Sequence, residues 1–83
     1  MERQEVEKAV IAIVRQQLQM DADISISADA HFFDDLGGDS LDYAETAMEL
    51  EDQFGISIPE SEEPKRIREI VEVVMHHLEA VAM

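Results

Sequence analysis

Cysteine is missing from all 83 residues. That excludes a disulfide framework, thiolate metal ligands and a nucleophilic thiol of the chain's own. If thiol chemistry takes place on this protein, an added group must bring the sulfur. Long apolar runs are missing as well. The longest, Ala9 to Val14, falls far short of a membrane span. The charged start Met1-Glu2-Arg3-Gln4-Glu5 is not followed by the apolar stretch of a secretory leader. The expectation is a soluble, cytoplasmic protein that inserts in no membrane. A third absence is local. No Lys or Arg stands between Gln16 and Pro64, against 14 Asp and Glu in the same stretch. The other six acids are matched by Arg3, Lys8, Arg15, Lys65, Arg66 and Arg68, so the whole net charge of −14 sits mid-chain. Such a field repels nucleic acid and anionic membranes and draws in basic protein surfaces. Segregated in this way, it reads as a docking surface for protein partners.

What is present centres on Leu36-Gly37-Gly38-Asp39-Ser40-Leu41-Asp42. Two glycines free the backbone for conformations that a side chain would forbid. Asp39 offers a carboxylate suited to cap a helix, and Asp42 places a second acid three residues on. Ser40 falls at the helix start, on its positive end. A phosphate esterified there would meet free backbone N–H groups and a favourable dipole.

At this length the chain is one domain, spanning residues 1–83. It buries only about 60% of its unfolded surface, so its core is thin. Glu2 to about Gln19 reads as a first helix, with Val6, Val10, Ile13 and Val14 at helical spacing and Ala9 and Leu18 extending the stripe. Met20 to Gly38 is a long connection, of a length that marks a functional loop. Within it Ile24-Ser25-Ile26-Ser27 alternates like a strand without a partner, so an extended segment burying Ile24 or Ile26 is expected. Phe32 and Leu36 anchor a turn before Ser40, and His31 reads as an exposed loop histidine. Asp39 or Ser40 to Phe54 forms the second long helix. Tyr43, Ala47, Leu50 and Phe54 share its inward face. Leu41, Ala44 and Met48 form a shallower apolar stripe beside an acidic arc of Asp42, Glu45, Glu49 and Asp52, with Glu51 on the other side. That stripe suits a partner with a basic rim and a small apolar pocket.

Gly55 ends this helix in a left-handed cap. Glu60 to Glu63 reads as one short helical turn, and Pro64 suits the first turn of the last helix. That helix runs to about Val81 with Ile67, Ile70, Val71, Val74 and Leu78 inward. The tail from Glu79 to Met83 is expected to fray. The fold class is all-α: a small antiparallel four-helix bundle of three main helices plus one short helix, with a long first loop.

The block Gly38-Asp39-Ser40-Leu41-Asp42 is preceded by Phe32-Phe33-Asp34-Asp35-Leu36-Gly37. It is followed by Glu45, Met48, Leu50, Glu51, Phe54 and Ile58-Pro59. With these neighbours the chain resembles the acyl carrier proteins over nearly its whole length, most specifically from about Phe32 to Pro59. The resemblance implies the same helical bundle. It implies that Ser40 receives 4′-phosphopantetheine from coenzyme A through a phosphopantetheinyl transferase. The arm's thiol then holds acyl intermediates as thioesters. The carrier catalyses nothing itself and presents its cargo to successive acyl-transferring and chain-elongating enzymes of fatty-acid or related lipid synthesis. The implied docking residues are Asp39, Leu41, Asp42, Glu45, Met48, Glu51 and Asp52, facing basic patches on those enzymes. The implied lining of an internal acyl pocket is Phe32, Leu50, Phe54, Ile58, Ile67 and Ile70. Size and charge imply a monomer. Thr46 and Ala47 depart from the larger aliphatics usual in fatty-acid carriers, and Tyr43 is bulky where the family is commonly small or β-branched. These departures bear on the shape of the interior and leave room for a specialised polyketide, cell-envelope or secondary pathway.

Two other readings are weaker. Gly38-Asp39-Ser40-Leu41 also spells the nucleophile block of GDSL hydrolases. Those enzymes are built on an α/β fold, and no alternating βα pattern occurs here. A serine nucleophile also needs a base oriented by a third group. Asp34, Asp35, Asp39 and Asp42 lack the spacing of a calcium loop. His76 and His77, adjacent on a helix, point about 100° apart and cannot serve one metal, so no metal site is expected.

Overall fold

The computed structural model describes residues 2–58 and 63–82. Three helices organise them: α1 Arg3–Gln17, α2 Ser40–Phe54 and α3 Ile67–Ala82. The short helical turn expected at Glu60 to Glu63 falls almost wholly outside the described residues. No named strand occurs among those that are described, and none of their helices is long and apolar enough to cross a membrane.

The helices assemble through the stripes that periodicity assigns. Val6, Val10, Ile13 and Val14 of α1 are buried against Ile67, Ile70, Val71 and Val74 of α3 in one core cluster. Leu78 is half-buried against the same cluster. α2 is turned from the expected face. Its buried residues are Thr46 and Leu50, while Tyr43, Ala47 and Phe54 are only partly covered. Thr46 can sit at 2% exposure because its hydroxyl donates to the Asp42 carbonyl at 2.7 Å, one turn back. Met48 and Leu41, at 66% and 65% exposed, lie on the opposite side of the helix. On the outer side the Gln17 amide donates to the Glu45 carboxylate, tying α1 to α2.

The long loop between α1 and α2 is held at both ends. At its start Arg15 Nη1 donates to the carbonyls of Asp21 and Ile24, each at 2.6 Å. Ile26 is the isoleucine that is buried; Ile24 stays 47% exposed. Further on, the loop does find a backbone partner. Phe32 N–H donates to the Lys65 carbonyl at 2.7 Å, and Ile67 and Arg68 N–H donate to the carbonyls of Ala30 and Ala28 at 3.0 and 2.8 Å. His31 and Arg66 form an isolated antiparallel bridge at the centre of this contact.

This pairing explains where α3 begins. The first N–H groups of a helix have no acceptor within it. Here the loop carbonyls accept from Ile67 and Arg68, and Glu69 Oε1 reaches back to the N–H groups of Arg66 and Lys65 at 2.9 and 3.3 Å. Those backbone bonds, Arg66's foremost, hold the Glu69 carboxyl below its ordinary range. The helix therefore starts at Ile67, and Pro64 stands before it instead of in its first turn. Arg68 and Arg66 add to the joint by meeting the Asp29 carboxylate at 3.2 Å and the Asp29 carbonyl at 2.7 Å. At the other end α3 is helical as far as Ala82, through residues expected to fray.

Candidate functional site

Ser40 is the first residue of α2 and is exposed. The approach to it is built by a turn over residues 31–38. Leu36 N–H donates to the His31 carbonyl, Gly37 N–H to that of Phe33, and Gly38 N–H to that of Phe32. The two glycines serve different ends. Gly37 has φ +74° and open space around it, so it supplies the left-handed backbone that glycine tolerates. Gly38 has no such angle. A Cβ there would stand 2.3 Å from Cε1 of Phe32, so what this position requires is room. Phe32 itself is wholly buried, with Phe33 and Tyr43 edge-on at centroid distances of 5.4 and 5.5 Å.

His31 is a working part of this turn. Its Nδ1 accepts the N–H groups of Phe33 and Asp34 at 3.2 and 3.0 Å, and its own N–H donates to the Asp35 carboxylate at 2.7 Å. It is not the exposed loop histidine expected, since its side chain is only 17% accessible.

At the helix start, Asp39 Oδ1 accepts from Asp42 N–H at 2.8 Å and Asp42 Oδ2 accepts from Asp39 N–H at 3.1 Å. This is a reciprocal capping box. It satisfies the first and fourth N–H groups of the step. Among the described residues the N–H groups of Ser40 and Leu41 have no protein acceptor. They are the two positioned for an anion on the Ser40 hydroxyl. The same box places two carboxylates beside that hydroxyl, so an anionic substituent needs a compensating cation. Lys65 can supply one. It lines a groove of about 590 Å³ that Ser40 also lines, together with His31, Phe33, Asp34, Tyr43 and Glu63. A serine able to bear a phosphodiester and an open groove beside it fit a long, flexible, covalently held group.

The groove also brings Ser40, His31 and Asp34 together, the residue types of a hydrolytic triad. The arrangement cannot work as one. A general base must accept the serine proton on the nitrogen facing it and donate from the other nitrogen to the carboxylate. Here Nδ1 is the acceptor of two backbone N–H groups, so in the neutral ring the proton sits on Nε2. Asp34 Oδ2 stands 3.8 Å from Nδ1, and no hydrogen bond joins Ser40 to His31 among the described residues.

Tyr43 lines both this groove and a space further in. Its ring stacks on Phe33, 5.4 Å between centroids at 23°. Its hydroxyl donates to the Pro64 carbonyl at 2.7 Å, joining α2 to the segment before α3. Burial first, then the charges of Glu63 and Glu69, push the phenol up to about 12. On its inner side lies a cavity of about 10 Å³, lined by Tyr43, Thr46, Ala47, Leu50, Ile58, Pro64 and Ile70. Of the six residues the sequence assigns to an acyl pocket, Leu50, Ile58 and Ile70 border this cavity. Phe32 and Ile67 are wholly buried in the core, and Phe54 packs against its edge.

The residues assigned to docking fall into two groups. Leu41, Glu45, Met48 and Asp52 are exposed and recur every three or four residues, so they share one outer face of α2. Asp39 is exposed and Asp42 partly covered, both engaged in the box. Glu51 is partly covered too, and its Oε2 accepts Ile58 N–H at 2.7 Å, which fastens the chain after Gly55. Gly55 has φ +66° and closes α2 with a left-handed cap. Sequence reasoning missed His31, Phe33, Asp34, Glu63 and Lys65 as walls around Ser40. They come from two separate segments, and only the backbone pairing of the loop with residues 65–68 brings them to one place.

Comparison with known families agrees with this geometry. A family model described as "Phosphopantetheine attachment site" matches residues 8–74, from early α1 through α2 and well into α3. The group that such a site holds is covalent 4′-phosphopantetheine.

Proposed function

The chain belongs to the phosphopantetheine attachment-site family, that of the acyl carrier proteins, and on that footing we propose that Ser40 is the residue to which its arm is joined. As a member it is a carrier and not a catalyst, a substrate of a phosphopantetheinyl transferase and a partner of synthetic enzymes. The observation that carries the assignment to Ser40 is its position. It is the exposed first residue of α2, beside two unengaged N–H groups and opening on a groove with a lysine in its wall.

When bound, the arm supplies a thiol that the cysteine-free chain lacks, and the thiol holds acyl groups as thioesters. The chain's own residues orient and present it. The turn at residues 31–38 and the capping box fix the direction in which the serine points. Lys65 offsets the crowding of Asp39 and Asp42 around a phosphodiester. The outer face of α2, with Leu41 and Met48 among Glu45 and Asp52, meets partners that carry a basic rim. Single exposed ion pairs are worth about 0–1 kcal/mol. Several in one field give fast encounter and ready release, which suits a shuttle visiting many enzymes. The whole of residues 1–83 acts as one carrier domain, and its cargo belongs to fatty-acid or related lipid synthesis. Tyr43, Thr46 and Ala47 favour a specialised branch as the alternative.

Incubation with coenzyme A and a transferase tests the assignment. Intact mass is expected to rise by one phosphopantetheine in the wild type and to stay unchanged in Ser40→Ala. A wild-type mass that does not change, or a variant that gains the same increment, overturns it.

A further inference from the structure

Resting on the carrier reading, we propose that the loaded arm of this protein lies in the outer groove beside Ser40, and that Tyr43 bars its acyl end from the helical bundle. Three observations meet at Tyr43. The first is room. The cavity inside is about 10 Å³, about the least that admits one water molecule. The groove outside is about 590 Å³ and is lined by the attachment serine itself. The second is the barrier. Tyr43 lines both spaces, so its ring is the wall between them. The wall is fixed in place from three sides: stacked on Phe33, edge-on to Phe32, and hydrogen-bonded from its hydroxyl to the Pro64 carbonyl. Opening a way inward means breaking that bond and tearing the ring from two others.

The third observation is chemical. The groove offers an aromatic face from Phe33 and Tyr43 and polar groups from His31, Glu63 and Lys65. A pantetheine arm carries apolar methyl groups between a phosphodiester and two amides, and it finds both kinds of partner there. The interior would match an acyl tail in kind, being largely apolar, but about 10 Å³ leaves such a tail no room. Beyond the Tyr43 ring, its lining is Thr46, whose hydroxyl is already spent on the Asp42 carbonyl, and the apolar Ala47, Leu50, Ile58, Pro64 and Ile70. Short or polar acyl groups, held outside and open to partner enzymes, are therefore the cargo that this carrier suits, which favours the specialised branch over the elongation of long fatty-acyl chains.

The test loads the full chain at Ser40 with non-hydrolysable acetyl, butyryl and octanoyl pantetheine analogues, each verified by intact mass. Melting temperature and backbone amide shifts are then read for each species. The expected result is a melting temperature that does not rise from acetyl to octanoyl. Shifts are expected to move at Phe33, Tyr43 and Lys65 and to stay put at Leu50 and Ile70. Octanoyl loading that raises the melting temperature and moves Leu50 and Ile70 overturns the proposal, as do groove residues that fail to respond to loading. A Tyr43→Ala variant is expected to gain the missing dependence on chain length. One that stays indifferent to chain length overturns Tyr43 as the barrier. The wild-type series decides the location of the arm even if that variant does not fold. Failure to load at all strikes the carrier reading instead, and the mass spectrum separates the two.

Discussion

Gly38→Ala adds a single methyl group to the step before the serine. On the native backbone that carbon would sit 2.3, 2.8 and 3.0 Å from Cε1, Cδ1 and Cζ of Phe32. These are overlaps with one edge of a ring, not with the end of a flexible chain. The ring cannot swing away, because Phe32 is wholly buried with Phe33 and Tyr43 against it. Either the ring leaves its place or the backbone at Gly38 lifts. Overpacking of this kind costs about 1–3 kcal/mol. With roughly 4–8 °C of melting temperature per kcal/mol in a domain of this size, the expected fall is roughly 5–20 °C. Gly37→Asn is the control. Its φ of +74° is one that Asn tolerates, and nothing lies within 4 Å of the added Cβ. Thermal melts followed by circular dichroism measure both. A Gly38→Ala protein that melts with the wild type, or a Gly37→Asn protein that falls as far as Gly38→Ala, refutes the division of labour between the two glycines.

Two further outcomes are expected. The Tyr43 phenol is raised from 10.0 to about 12 in the folded chain, so its contribution to stability is whole below about pH 10 and is lost as pH rises through about 12. Urea melts across that window are expected to fall more steeply for the wild type than for Tyr43→Phe, and equal slopes contradict the environment assigned to the phenol. Association with a transferase is expected to slow as salt rises, and Glu45→Lys or Asp52→Lys to slow it several-fold at low salt. A rate that is the same at low and high salt, or that these substitutions leave alone, removes the electrostatic account of docking.

What the sequence discloses here is what local chemistry decides. Asp39 and Asp42 stand three residues apart, so the capping box and the first residue of α2 follow from spacing alone, as does the cap at Gly55. The stripes of α1 and α3 are legible for the same reason, since their apolar residues repeat at the helical period. Contacts between distant segments are not legible in this way. Pro64 suits a helix start by its own geometry, yet α3 waits until Ile67. The acceptors for its first N–H groups are the carbonyls of Ala28 and Ala30, almost 40 residues earlier. Gly38 reads as a flexible residue until Phe32 is placed against it. His31 has no neighbouring ligand in sequence to announce a role, and its role turns out to be the shape of the turn. Tyr43 falls on the inward face by periodicity, but nothing local tells that its hydroxyl reaches Pro64 or that it borders both the outer groove and the small inner cavity.

One hydroxyl among five serines is to carry the arm, and fragmentation of the loaded protein in a mass spectrometer locates it. After reaction with coenzyme A and a transferase, the added phosphopantetheine is expected on Ser40 alone. Its appearance on Ser25, Ser27, Ser57 or Ser61 would contradict the account.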